Sequence, residues 1–289
     1  MEAVSTFAAP FRRLLTRDDF RRNPTKALFK RAAWRLRWLV RSSPIQLQHT
    51  AGFSVVAPKG AAGALIYYLG SSEPETAAFL ESILKPGMVV FDIGAHFGEY
   101  TLLASSRVAE QGGVHAFEAQ PTTAALLRRN CEANQLRNAT VNWCAISDRE
   151  GEVEFDVCDE PTMSAIATSG RKAAKHFRRI RVPSITLDGY CQQHSVWPDL
   201  LKIDVEGAEL LVLRGAAGIL QRPAPHAPTL LFECLEDTYR QFGYGRHDVI
   251  EYLQSYGYEI FRLTESGQMI PHLAPVLGRP GYNLVALKS

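Results

Sequence analysis

Long apolar runs are missing from this 289-residue chain. No stretch approaches the roughly 18 consecutive apolar residues of a membrane-spanning helix. The start, MEAVSTFAAPFRRLL, lacks the charged opening and apolar run of a secretory leader, so a cytoplasmic location is expected. Cysteine is sparse: Cys131, Cys144, Cys158, Cys191 and Cys234 form no Cys-x-x-Cys pair and no zinc-ligand spacing. Such an odd, scattered set suits reduced, structural thiols. No internal repeat and no low-complexity block occurs. Also absent is Gly-x-Gly-x-x-Gly, the diphosphate cradle of dinucleotide-binding sheets.

A dominant charge sign is lacking too, since 32 Lys and Arg face 30 Asp and Glu, a formal net charge of +2. That total averages unequal parts. Residues 1–41 hold nine Arg and two Lys against three acids, a net of +8, which leaves 21 basic and 27 acidic side chains elsewhere. A mildly acidic body therefore carries a basic N-terminal arm (1–50), followed by a second region (51–289). An acidic body is no general polyanion binder, and nucleic acid is not an expected partner.

Within the arm, Asn23-Pro24 reads as a helix start, with Asn as cap and Pro in the first turn. Phe29, Ala32, Ala33, Leu36 and Val40 then recur at helical spacing, with Trp34 and Trp38 beside them. The wide spread of apolar positions favours packing against the body or a second subunit. The alternating Arg, Trp and Leu of Lys26–Arg41 leave peripheral membrane contact as the alternative. FSVVAP (53–58) and ALIYYLG (64–70) are strand-like and predict a hairpin through Gly60–Gly63. Glu73–Leu84 is predicted as a helix.

From Met88 onward, apolar runs alternate with helical segments: MVVFDIG, GVHAFEA, ATVNWCAI, DLLKIDV and TLLFECL, then YEIFRL and YNLVALK. This is βαβ punctuation, an α/β fold with a mostly parallel sheet covered on both faces. An insertion between the third and fourth strands contains GEVEFDV, a basic stretch (169–182) and ITLDGYCQQ. The basic stretch reads either as a solvated face or as a loop recognising an anionic or lipid-linked acceptor.

The sharpest local feature is VVFDIGAHFG, a strand running into a turn with Gly94 and Gly98 before a helix. Gly94 would let backbone approach a ligand, and Gly98 would allow tight helix–strand packing. Asp92, at the strand end, can hold turn amides or a ligand ammonium. Glu118 ends the next strand, where a carboxylate can accept from both hydroxyls of a ribose. Together they describe an adenosine-bearing ligand with a cationic amino-acid tail, S-adenosyl-L-methionine. Asp204 and Glu206 in LLKIDVEGAE end the fourth strand, facing the same cleft across the switch point. With Glu233, at the tip of strand five, and His96, they are the candidates to take a proton from an acceptor hydroxyl. Glu209 reads as favourable charge at a helix N-terminus. Asp204 and Glu206 show no matching third ligand in sequence, so no metal is expected.

At these residues the chain resembles the FkbM-type family of S-adenosylmethionine-dependent methyltransferases. The matching text is VVFDIGAHFGEYT, FEAQP, RRNCEANQL, LLKIDVEGAELLVLRGA and YNLVAL, and it spans about 86–287. The resemblance implies a class I methyltransferase (Rossmann-like) doubly wound sheet of seven strands with the last antiparallel. It also implies O-methylation of a sugar, glycan or secondary-metabolite hydroxyl. It assigns Asp92, Gly94, His96, Gly98 and Glu118 to the cofactor, and Asp204 and Glu206 to the acidic motif of the cleft. His96 stands where the family usually has Asn, and in FEAQP two residues separate Glu118 from Pro121 where Pro usually follows directly. The rival expectations are a non-catalytic cofactor-binding adaptor and an NAD-dependent oxidoreductase.

Overall fold

The computed structural model describes residues 18–158, 164–168, 177–272 and 281–289. In chain order the N-terminal part comprises α1 (Asp18–Arg22), α2 (Pro24–Val40), β1 (Ile45–Gln48), β2 (Ser54–Ala57), α3 (Ala61–Leu69) and α4 (Pro74–Ile83). The first half of the body follows: β3 (Val89–Ile93), α5 (Glu99–Val108), β4 (Gly113–Phe117), α6 (Pro121–Ala133) and β5 (Ala139–Asn142). The insertion holds β6 (Ala145–Ile146), β7 (Gly151–Cys158), β8 (Ala165–Ile166), β9 (Phe177–Ile185) and α7 (Leu187–His194). Then come β10 (Leu200–Ile203), α8 (Glu209–Arg214), α9 (Ala217–Gln221), β11 (Thr229–Leu235) and α10 (Glu236–Tyr239). The chain closes with α11 (Arg246–Ser255), β12 (Glu259–Leu263), β13 (Met269–Pro271) and β14 (Gly281–Leu287).

The main sheet has the order β13-β12-β14-β11-β10-β3-β4-β5, with β14 antiparallel to both neighbours. Seven of these strands form the expected doubly wound arrangement. The eighth, β13, is an edge strand that turns back onto β12 and that the apolar pattern did not announce. Alternate residues of the central strands feed two cores. Phe91, Ile93, Leu201, Ile203 and Phe232 pack under α7, α8, α9 and α11. Val90, Val114, Leu200, Leu231 and Val285 pack on the opposite face. Burial on both faces is why these strands read as unbroken apolar runs.

The N-terminal part belongs to that second core, since Trp34, Leu47, Phe53, Val55 and Ile66 share it with Val90 and Leu231. The expected boundary at residue 50 falls in the turn between β1 and β2, which pair with each other. The predicted hairpin of FSVVAP with ALIYYLG is therefore incorrect. β2 pairs upstream, and ALIYYLG is helix α3. A short apolar run cannot by itself choose between strand and helix, and here the contact of Tyr67 and Tyr68 with Trp34 decides it. The cap of α2 is as expected, with Asn23 Oδ1 accepting from the Lys26 amide at 3.0 Å.

The segment RRNCEANQL turns out to clamp this addition. Asn130 is fully buried, accepts from the Val56 amide at 2.9 Å and donates to the carbonyls of Val56 and Phe97. Asn134 does the same for Ser54. ATVNWCAI is not one strand: β5 joins the main sheet, while β6 joins a second sheet of order β6-β9-β7-β8. Residues 169–176 of the predicted basic loop lie outside the described residues. Arg178, Arg179 and Arg181 belong to strand β9, and Arg179 is paired with Asp156 at 2.8 Å and Glu154 at 3.2 Å.

Candidate active site

The two sheets meet at a cleft with an empty volume of about 1250 Å³, part of it open to solvent. Its floor is the carboxyl end of the main sheet: Gly94 to Phe97 after β3, Glu118 and Ala119 after β4, Asp204 to Glu206 after β10, and Glu233 in β11. One wall comes from the insertion through Ala145, Ile146, Phe155 and Ile166. The other comes from the N-terminal part through Ala61, Ala62, Leu65, Ser72 and Glu73.

Parallel pairing aligns Lys202 on β10 with Asp92 on β3, and the Asp204 amide donates to the Ile93 carbonyl at 2.9 Å. The β3 and β10 tips are thus locked side by side. Gly94 has φ +77°, and a Cβ there would lie 1.8 Å from the Asp204 carbonyl oxygen. The neighbouring strand thus excludes a side chain at Gly94, which itself lines the cleft. Gly98 does serve packing, but a Cβ would strike Leu127 of α6 at 2.3 Å, making it a helix–helix contact. Two non-glycine residues facing the cleft, His96 and Glu206, have φ of 52° and 55°. Left-handed backbone at such residues stores strain and clusters at functional sites.

Glu118 lies where the sequence puts it, with both oxygens at work. Oε2 accepts from the His96 amide and Oε1 from the Gln120 amide, each at 2.8 Å. Burial pushes its pKa up to about 7. Each oxygen keeps lone-pair capacity for a ligand hydroxyl. Asp92 lies beneath the cleft rather than in its lining: its Oδ2 accepts from Thr101 Oγ1 at 2.6 Å, and Oδ1 lies 3.6 Å from Lys202 Nζ. Burial raises its pKa. His96 lines the cleft, its Nε2 is buried without a hydrogen-bond partner, and burial lowers its pKa to about 4. It is a neutral imidazole at physiological pH.

Asp204, Glu206 and Glu233 each bring a carboxylate oxygen within 4.8 Å of the others. Sequence inspection found no third partner for Asp204 and Glu206, because Glu233 arrives from the next strand. Burial first, then Asp204, Glu206, Glu209 and Glu73, raise the Glu233 pKa to about 10. Glu209 is fully buried beneath the β10 tip, where it accepts from the Val205 amide at 3.1 Å.

Three contributors escaped the sequence reading. Lys202 donates to Asp204 Oδ2 at 3.1 Å and stands over the Tyr100 ring. Burial alone would lower its pKa, but Asp204, Asp92 and Glu73 outweigh that and raise it. Glu73 accepts from Asn283, Thr76 and Tyr100. Glu99 accepts from Ser71 and the Ser72 amide and contacts His49 at 3.1 Å, tying the N-terminal wall to α5. The lysine within LKIDVEGAE was a usable signal. Glu73 and Glu99 carried none, since the contacts that tie them to Asn283, Tyr100, His49 and Ser71 are remote in sequence.

The profile of the FkbM methyltransferase domain matches residues 92–260. The chain belongs to that family. Among curated relatives, 31-O-demethyl-FK506 methyltransferase FkbM of Streptomyces tacrolimicus is 43% identical over 70 residues, covering 24% of this chain and 25% of that protein. Hexuronic acid methyltransferase AglP of Haloferax volcanii is 28% identical over 134 residues, covering 46% of this chain and 52% of its own length. The chain thus spans a quarter to about half of the curated relatives it matches. A solved structure, methyltransferase FkbM of Methylobacillus flagellatus, is 16% identical with a TM-score of 0.45, covering 93% of this chain and 61% of that one.

The cofactor of this FkbM domain is S-adenosyl-L-methionine. The cleft suits it chemically: its described lining residues include five carboxylates (Glu73, Glu99, Glu118, Asp204 and Glu206) and the protonated carboxyl of Glu233 against one ammonium, Lys202. That imbalance favours a ligand with a positively charged sulfonium and ammonium.

Proposed function

We propose that this FkbM domain is an O-methyltransferase that passes the methyl group of S-adenosyl-L-methionine to a hydroxyl of a carbohydrate-like acceptor. The observation that carries the reading is the acid-rich cleft at the β3, β4, β10 and β11 tips, with Glu118 in its lining. The cofactor supplies a methyl group made electrophilic by its sulfonium. The acceptor oxygen must approach in line and lose its proton.

This chain's residues divide that work. Glu118 holds the nucleoside side through its remaining lone pairs. Asp204 and Glu206, at the β10 tip, are the proton acceptors. Glu233, with its pKa near 10, stays protonated and serves as a hydrogen-bond donor to the acceptor rather than as a base. The 31-O-demethyl-FK506 acceptor of one relative supports hydroxyl methylation, and the hexuronic acid acceptor of the other supports a carbohydrate-like substrate. Arg178, Arg179 and Arg181 are not among the cleft-lining residues, and the described lining is acidic.

The test is mass spectrometry of extracted glycans and lipids after incubation with cofactor carrying a labelled methyl group. One added methyl group, lost in Asp204→Asn with cofactor binding retained, supports the assignment. Wild-type turnover in that variant removes Asp204 from the mechanism. Turnover in EDTA is expected to match that in magnesium. Loss in EDTA restored by magnesium would make Asp204, Glu206 and Glu233 a metal site.

A further inference from the structure

Helix α2 keeps much of its apolar surface on the solvent side. Ala27 and Trp34 face the body, with Trp34 set against Tyr67 and Tyr68. The opposite side of a surface helix is ordinarily polar. Here it carries Leu28, Phe29, Leu36, Leu39 and Val40, which are 52%, 73%, 62%, 83% and 73% exposed. Positions 28, 29, 32, 36, 39 and 40 form one stripe along the 17-residue helix. Single exposed apolar residues are ordinary, but a continuous ridge marks an interaction surface.

The charges around the ridge identify its occupant. Residues 24–40 contain no Asp or Glu. Three basic side chains of the helix are engaged within the protein: Lys30 with the Tyr67 and Tyr68 carbonyls, Arg31 with Asp19, and Arg37 with the Arg41 and Ser43 carbonyls. Arg35 is exposed at the edge of the ridge, and Lys26 and Arg41 are exposed near the two ends of the helix. A second copy would face this ridge with another acid-free, basic ridge, and like charges brought together oppose association. A lipid surface meets both demands, because acyl chains accept the ridge while anionic headgroups accept the cations.

We propose that α2 docks this protein on an anionic lipid surface. The consequence reaches the cleft: α3 touches Trp34 through Tyr67 and Tyr68, and its first turns place Ala61, Ala62 and Leu65 in the cleft wall. The docked face is thereby one helix away from the cleft. This inference is independent of which group the enzyme methylates.

The test is flotation of the full chain with vesicles of phosphatidylcholine plus phosphatidylglycerol, and with vesicles of phosphatidylcholine alone. Binding is expected only to the anionic vesicles, weakened by salt and reduced at least ~10-fold in Leu36→Glu/Leu39→Glu. Unchanged S-adenosylhomocysteine binding by calorimetry shows that this variant keeps its fold. No flotation, or equal flotation of the variant, overturns the proposal. So does a dimer in sedimentation that the two substitutions dissolve, which would make a second copy the occupant. Binding that appears only after removal of residues 1–17 also overturns it, because that segment would then cover the ridge.

Discussion

The Lys202 ammonium lies 3.1 Å from Asp204 Oδ2, and on its other side is Asp92 Oδ1 at 3.6 Å. One buried cation therefore joins the tips of β3 and β10, the two strands that flank the switch point of the sheet. Asp92 stabilises the lysine from below, while Asp204 presents its carboxylate to the cleft.

Removing that cation should be costly. Lys202→Met leaves Asp92, 1% exposed, without its counter-charge. A loss of about 3–5 kcal/mol is expected in urea denaturation, the usual cost of orphaning one partner of a buried pair. Adding Asp92→Asn should restore part of it. No recovery in the double variant would show that Lys202 does not act by compensating charge.

Glu118 predicts a pH dependence of cofactor binding. Its carboxyl, raised to about 7 by burial, must be ionised to accept from two ribose hydroxyls. The affinity for S-adenosylhomocysteine should therefore fall as pH drops below 7. Glu118→Ala should lose at least ~10-fold in affinity at pH 8, as expected for lost hydrogen bonds to a charged acceptor. Calorimetry from pH 6 to 8 checks both, and a flat wild-type profile with unchanged variant affinity would remove the ribose assignment.

Glu233 makes a prediction of opposite sense for stability. Its pKa is about 10 when folded, against an ordinary value of 4.5, so the folded state holds a proton that the unfolded chain gives up as pH rises. The ligand-free protein should thus lose stability from pH 4.5 upward, until the folded-state carboxyl itself ionises. Glu233→Gln removes that loss. Its melting temperature should match wild type near pH 4.5 and exceed it by a margin that grows as pH rises to 8. A difference that does not grow with pH contradicts the assignment.

His96 tests backbone strain. At φ 52° a β-branched residue is penalised, whereas Asn tolerates this left-handed conformation. His96→Asn should retain stability. His96→Val should lose about 1–3 kcal/mol, measured by denaturation. Equal stability of the two variants would show that the turn relaxes.

Much of the cleft was legible in local text because the fold places strand ends there. A carboxylate closing an apolar run, as in FDIG, FEAQ and KIDVEG, marks a strand tip, and a doubly wound sheet gathers its tips in one crevice. What each tip residue touches was less accessible. Asp92 lies below the lining, Gly94 makes room for a strand, and Glu233 completes a carboxylate triad, because all three depend on strand order and register. The family motif containing Asn130 looked like part of a methyltransferase signature, and its side chain proves to hold β2 in place.

The sequence alone settled the sheet class, the glycine turn, the position of Glu118 and the uneven charge between arm and body. Those properties are written in runs of a few residues, where periodicity and turn chemistry act locally. Only the tertiary structure decided that ALIYYLG is a helix, that residue 50 lies in the turn between two paired strands, and that Asp92 and Asp204 share one lysine. It also decided which side of α2 faces water. Trp34 found a place in the core and left Phe29, Leu36 and Leu39 outside, an outcome set by competition between two apolar faces for one packing surface.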